Sequence, residues 1–290
     1  MNDQTKHKTT SWPRQLWNHA LSLLTSLLAM LNLCFWLFPL TLLVLLKAIP
    51  LPPLRRLATR GLELCYWLTV RCNSFWLLDV LNVQVEVFGQ LPDHPAPIVI
   101  ANHQSWFDVP LLLQVVTVEG KLIVKFFVKQ ELVWVPVIGW ICIAMNFPRL
   151  RRGQTPDSQQ KDRETIEQLS KTLARESGAL QIFPEGTRFT AQKREAQNSP
   201  YQHLLRPKPG GVKYSLASAP PGTPVVDITF VYDGDSNFWH CLHGGTKKIR
   251  AYIKVIEGAE SDTAREWLGD RWREKDALFS QAENHQSLPP

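Results

Sequence analysis

The chain has 290 residues, 44% of them hydrophobic and 20% charged, with a net charge of +6 and five cysteines. That apolar content excludes a disordered chain, and the scattered Cys34, Cys65, Cys72, Cys142 and Cys241 exclude a disulfide-built miniature fold and fit a reducing compartment. The positive charge suits an anionic partner; no nucleic-acid motif accompanies it and the basic residues flank apolar segments, which points to a membrane surface rather than nucleic acid.

Residues 1–19 are polar and basic, with Lys6, Lys8 and Arg14, and form a leading tail. Residues 20–46 carry no charge and exceed the roughly 20 residues needed to cross a bilayer. No small-residue cleavage site follows them, so a cleaved signal peptide is not expected. Basic residues stand at both ends, with Lys47, Arg55, Arg56 and Arg60 on the far side, so charge alone sets no orientation. Pro39 marks a kink or re-entrant bend. Residues 54–81 mix arginines with Leu, Trp67, Phe75 and Trp76 and read as an amphipathic helix in the interface. Residues 20–81 are thus expected as a membrane-embedded helical segment. It is either a pair of helices dipping into one leaflet from the cytoplasmic side, the preferred reading, or one true span plus an amphipathic helix.

Residues 82–280 form the folded domain. The alternating run VQVEVF at 83–88 reads as a first strand. Ile98-Val99-Ile100-Ala101 is a short buried strand, followed by the polar turn Asn102 to Asp108 and a helix start in which Asp108 is the N-cap candidate and Pro110 sits in the first turn. A polar turn at the carboxyl end of a buried strand is where α/β folds place ligands. Residues 122–128 are strand-like, 132–147 read as core with a second membrane contact as the alternative, 153–158 as a polar loop and 162–177 as an amphipathic helix with Ile166, Leu169 and Leu173 inward, ended by Gly178. A second apolar strand leads into Phe183-Pro184-Glu185-Gly186-Thr187-Arg188. Lys208-Pro209-Gly210-Gly211 opens another helix, and 224–232 and 249–256 read as strands. Ser261 is placed to cap a last helix with Trp267, Leu268, Trp272 and Phe279 on one face, and residues 281–290 form a polar tail. His240 and His243 form a metal-like pair, but no further ligands stand at suitable spacing, so no metal is expected.

Two stretches carry chemistry. His103 and Asp108 meet only if the chain turns between them, as a strand-to-helix loop does. A carboxylate on one imidazole nitrogen fixes the tautomer and leaves the other as a general base. A chance His-x4-Asp pairing is the plain alternative. In the second stretch Gly186 allows close backbone approach, Thr187 offers a hydroxyl and Arg188 a planar fork for phosphate oxygens, where an ordinary β-turn with a solvated arginine is the plain alternative.

Together these stretches resemble the glycerolipid acyltransferase family, specifically its 1-acyl-glycerol-3-phosphate acyltransferase (lysophosphatidic acid acyltransferase) type, whose N-H-x4-D block stands here as Asn102 to Asp108 and whose F-P-E-G-T-R block stands as Phe183 to Arg188. Lys129-Gln130-Glu131-Leu132 with Pro136 and Gly139 is similar to the family's second block, closed by Arg152 with Arg149 and Arg151 nearby. Residues 224–228 resemble the fourth block, with Asp227 in place of the more usual Pro. Trp267-Leu268 and Trp272 to Asp276 resemble the lysocardiolipin acyltransferase-like subgroup.

The resemblance implies an α/β fold: a single acyltransferase domain with a central mixed sheet flanked by helices behind the membrane segment. It implies transfer of a fatty acyl group from acyl-CoA or acyl-carrier protein, as co-substrate rather than cofactor, to the sn-2 hydroxyl of 1-acyl-glycerol-3-phosphate. Lysophosphatidylglycerol or lysocardiolipin are the alternative acceptors. His103 would be the base oriented by Asp108, with no acyl-enzyme. Glu185, Gly186, Thr187, Arg188, Arg152 and Lys208 would hold the acceptor, Glu185 by orienting Arg188 or bonding the acceptor. Backbone N–H groups at the helix start would receive the oxyanion. The expected location is the cytoplasmic face of a bacterial inner membrane. An esterase would need a G-x-S-x-G elbow, which the chain lacks, and a non-catalytic lipid-binding protein would need no base.

Overall fold

The computed structural model describes residues 12–134, 138–144, 147, 149–150, 160–161, 164–168 and 178–283. Helix α1, Trp12–Ala48, runs unbroken through Pro39, so the re-entrant bend is absent there. The chain reverses instead at Ile49, Pro50 and Leu51, where a proline is well placed to open α2, Pro52–Ser74. A π-type turn, Phe75–Val80, extends α2. The two helices pack as a hairpin. Gly61 makes room for it: a Cβ there would lie 2.7 Å from Leu43. The Asn32 amide donates to the Thr69 carbonyl at 3.0 Å and accepts from Trp36 Nε1 at 3.0 Å, tying the helices at mid-length.

Strands β1 (Gln84–Phe88) and β2 (Ile98–Ala101) follow, then helix α3 (Asp108–Leu113) with a π-type turn Gln114–Glu119. The strand-like run at 122–128 divides into β3 (Val124–Phe126) and β4 (Val128–Lys129), and β4 pairs with β5 (Arg149–Leu150) in a separate two-stranded sheet. Between them lie a 3₁₀ turn, Gln130–Trp134, and helix α4, Ile138–Ala144. Next come β6 (Ala179–Ile182), α5 (Ala191–Ala196), α6 (Gly210–Ser218), β7 (Val225–Tyr232), α7 (Phe238–Cys241), β8 (Lys248–Ile256) and α8 (Ala264–Glu283). The main sheet has six strands in the order β1-β8-β7-β2-β6-β3. β3, β6, β2 and β7 are parallel, while β8 is antiparallel to β7 and parallel to β1. The expected mixed α/β sheet is therefore present.

Strand alternation divides the core into two layers. Val226, Ile228, Phe230 and Tyr232 of β7 face α3 and the residues around Leu77 to Val83. Val225 faces the layer built by Leu204, Val212, Leu268 and Trp272. The expected apolar face of the last helix is real: Trp272 and Leu268 are buried, and Trp267 and Phe279 pack beside them. That helix begins at Ala264, two positions after the expected start.

One expectation holds only in part. Among the described residues of 132–147, Cys142 is buried and Phe147 packs against the hairpin core, but Trp134 is 85% exposed and Trp140 and Ile143 are exposed. The reason is that α4 rests on the hairpin, where Trp140 Nε1 donates to Thr41 Oγ1 at 2.8 Å. Of the expected helix at 162–177, the described residues 164–168 are helical, with Ile166 buried; Leu169, Leu173, Arg151, Arg152, the 153–158 loop and the tail beyond Glu283 lie outside the described residues.

Candidate active site

The carboxyl ends of β2, β6 and β7 meet at one edge of the sheet, and each delivers part of the site. β2 ends at Ala101, and Asn102 then fastens the turn to β7: its amide donates to the Phe230 carbonyl at 3.0 Å and accepts the Phe230 N–H at 2.9 Å. The next residue, His103, is nine-tenths buried. Its Nδ1 lies 2.9 Å from Asp108 Oδ2. The same Asp108 oxygen accepts the Ser105 N–H at 2.8 Å, and Oδ1 accepts the Tyr232 hydroxyl at 2.6 Å. A carboxylate only accepts, so Nδ1 carries the ring proton and Nε2 is the basic nitrogen.

This corrects the cap assignment. Asp108 opens α3 but makes no cap bond; Phe107 stands at the cap position, and the Asp108 side chain folds back onto the preceding turn. The helix-start amides are also taken: the Asp108 N–H donates to the Ser105 carbonyl and the Val109 N–H to the Trp106 carbonyl, each at 3.3 Å, so they do not await an oxyanion. The imidazole is held on two sides, stacked on Phe183 at 4.1 Å between centroids and edge-on to Trp106 at 6.3 Å.

β6 delivers the second stretch. Gly186 takes φ +72°, a conformation that favours glycine, and closes a tight turn whose N–H donates to the Phe183 carbonyl. Glu185 points inward, fully buried; Oε1 accepts the His103 N–H at 3.0 Å and Oε2 the Leu205 N–H at 3.1 Å. It therefore neither orients Arg188 nor faces an acceptor: both oxygens are used to join three loops. Burial pushes its carboxyl up to about 8, against the pull of the two amides.

The outer side of the turn is basic. Arg188 lies over the half-exposed Trp106 ring, 4.6 Å from its centroid. Lys193 Nζ donates to Thr187 Oγ1 at 2.8 Å and to the Arg188 carbonyl at 3.0 Å, so the Thr187 hydroxyl is already engaged. The Lys208 side chain reaches the same turn, with Nζ 3.6 Å from the place a Cβ on Gly186 would occupy, and its N–H donates to the Pro184 carbonyl. His103, Asp108, Gly186, Arg188 and Lys208 are thus assembled from segments up to 105 positions apart (208 − 103).

A family model described as Acyltransferase matches residues 82–231. The chain belongs to the acyltransferase family. Similar proteins include an uncharacterized acyltransferase of Schizosaccharomyces pombe, 28% identical over 63% of this chain and 58% of that protein. A lyso-ornithine lipid O-acyltransferase of Pseudomonas aeruginosa is 34% identical over 47% of this chain and 43% of its own length. A 1-acyl-sn-glycerol-3-phosphate acyltransferase of Saccharomyces cerevisiae is 33% identical over 43% and 39%. In each the match spans less than two thirds of the relative.

Three features of this acyltransferase escaped the sequence reading. Tyr232 completes the Asp108 environment from 124 positions away. Lys193 sits one helical turn beyond the basic stretch. Asp227, recognised only as a departure from the usual Pro, is buried and paired with Arg271 Nε at 2.7 Å and with the fully buried Lys275. His243 of the metal-like pair instead meets Ser22 of α1 at 3.0 Å.

Proposed function

We propose that the acyltransferase moves a fatty acyl chain from acyl-CoA or acyl-carrier protein to the sn-2 hydroxyl of 1-acyl-glycerol-3-phosphate, giving phosphatidic acid. The observation that carries this reading is the juxtaposition of a tautomer-fixed imidazole with a basic turn suited to a phosphate monoester. His103 Nε2 removes the acceptor's hydroxyl proton as the oxygen attacks the thioester carbonyl. The tetrahedral adduct collapses with loss of the thiolate, which is weakly basic and needs no strong acid. The acyl group passes directly, with no acyl-enzyme. Arg188 and Lys208 hold the phosphate, with Arg152 as a third cation.

The membrane hairpin lies in one leaflet in this reading. His19 and Ser22 of α1 bond to Trp239, and Thr41 bonds to Trp140. From 19 to 41 is 22 residues, about 33 Å of helix, close to the hydrocarbon thickness of a bilayer. A perpendicular span would carry two parts of one folded body to opposite faces. We take that one side to be the cytoplasmic face of a bacterial inner membrane, where the acyl donors are found, with the exposed Trp134 and Trp140 beside α1.

The test is thiol release from an acyl-CoA by purified protein in detergent, with lysophosphatidic acid, lysophosphatidylglycerol, lysocardiolipin and lyso-ornithine lipid offered in turn beside His103→Ala. Release that needs lysophosphatidic acid and disappears in the variant supports the reading. Release with another lysolipid moves the substrate, and release without any acceptor that survives the variant defeats it.

A further inference from the structure

We propose that Tyr232 is a positioning residue for acyl transfer: its phenol locks the Asp108 carboxylate and limits the negative charge that Asp108 lends to His103. The proposal rests on the reading of His103 as base given above.

Asp108 is fully buried, and Oδ1 takes the Tyr232 hydroxyl at 2.6 Å while Oδ2 takes His103 Nδ1–H and the Ser105 N–H. Three donors on two oxygens fix the plane of the carboxylate, and hence of the imidazole it holds. The phenol also competes for the charge. A strong donor on Oδ1 makes the carboxylate a weaker acceptor at Oδ2, so less of its charge is lent to the imidazole. Tyr232 closes β7, whose Phe230 also carries the Asn102 clasp, so one strand sets both ends of the His103 turn.

The other ionisable groups around the carboxylate leave this role to the phenol. From the turn after β6, Glu185 is held protonated by burial and its oxygens are committed to backbone amides. From α7, Cys241 is buried and its thiol is pushed up to about 12, so it stays neutral. Arg188 is directed over Trp106. Burial, and after it the Asp108 charge, holds the Tyr232 phenol well above its ordinary range, so it remains a donor throughout the working pH.

The experiment compares pH–rate profiles of kcat and kcat/KM for wild type, Tyr232→Phe and His103→Ala, with fluorotyrosines of increasing acidity incorporated at position 232. Loss of the hydroxyl moves the acid limb of the profile to higher pH, lowers kcat about tenfold and leaves the acceptor KM in place. Fluorotyrosines, as stronger donors, move that limb the other way in order of acidity, a graded response that a purely structural contact does not give. A Tyr232→Phe profile superimposable on wild type overturns the proposal. So does an even loss across all pH values with no limb shift, or fluorotyrosine profiles indifferent to acidity. Activity retained by His103→Ala instead removes the underlying reading, which separates the two failures.

Discussion

Glu185 Oε1 accepts the backbone N–H of His103 at 3.0 Å, across 82 positions of sequence. The carboxylate of one motif is thus a structural part of the other, and Leu205 on its second oxygen adds a third loop. Replacing Glu185 by Ala leaves two buried amides without acceptors, at about 1–3 kcal/mol each. The sign of the pH effect follows from the raised carboxyl. The folded state keeps its proton to about 8, so the associated stability is full below the ordinary 4.5 and is lost as pH rises toward 8. Thermal melts of Glu185→Gln, which cannot titrate, should show a wild-type advantage that shrinks across that window; a constant difference would rule out the assignment.

Asp227, Arg271 and Lys275 form a buried charge cluster that fastens α8 to β7, with Lys275 Nζ also donating to the Ile228 carbonyl at 2.7 Å and Thr229 Oγ1 at 3.0 Å. Lys275→Met leaves Asp227 held by Arg271 and an excess of negative charge in the cluster, and is expected to cost about 3–5 kcal/mol in urea unfolding. Asp227→Asn combined with Lys275→Met should recover much of that loss, since the excess negative charge disappears and Arg271 keeps Glu274 as its partner. Equal damage from the single and double variants would mean that packing, not charge, is at stake.

Arg188 lies over Trp106, the ring that stands edge-on to His103, and pairs with no carboxylate among the described residues. Arg188→Ala should raise the KM for a phosphate-bearing acceptor roughly 10–100-fold, the equivalent of losing one charge-assisted contact, and leave the KM for the acyl donor alone. Arg188→Lys should recover only part, because it keeps the charge without the fork. A change confined to the donor KM would assign the arginine to the other substrate.

Trp134 is 85% exposed and lies beside α4, which is docked on α1. Vesicle cosedimentation should show Trp134→Ser weakening partition into anionic liposomes about tenfold, with activity in detergent preserved. Unchanged partition would mean that this surface faces water.

Docking of the hairpin has a histidine at its centre. Burial pushes His243 below its usual range, with His240 and His19 adding to the effect. A depressed histidine favours the neutral form in the folded state, so the stability it contributes is present above pH 6.5 and lost as pH falls below that value. Limited proteolysis should release α1 faster at pH 5 than at pH 7.5, and His243→Asn should blunt the difference. Equal release rates would exclude it.

The His103 turn was legible because every signal in it is local: a β-branched strand, a polar turn and a proline in the first helical turn. The basic stretch was legible for the same reason. Glu185 was misread because its partners are backbone amides, which leave no trace in side-chain identity. Tyr232 was missed because strand alternation says which face it occupies, not what awaits it there. Arg271 and Lys275 did leave a trace: they share a helical face with Leu268, Trp272 and Phe279, and two cations on an apolar stripe call for a buried anion. Asp227 was the matching oddity. The re-entrant bend expected at Pro39 did not occur because Ile49, Pro50 and Leu51 already provide the reversal.

The docking of α1 also orders events during synthesis. Trp12–Ala48 leaves the ribosome ahead of the domain it docks on: Trp140 follows Thr41 by 99 positions and Trp239 follows His19 by 220. For that interval the nascent helix has only lipid or a chaperone in which to hide Phe35 and Phe38, 69% and 79% exposed even in the finished fold. The globular part must then mature as a tethered body, and its later-made helices α4 and α7 close onto a helix already parked at its destination.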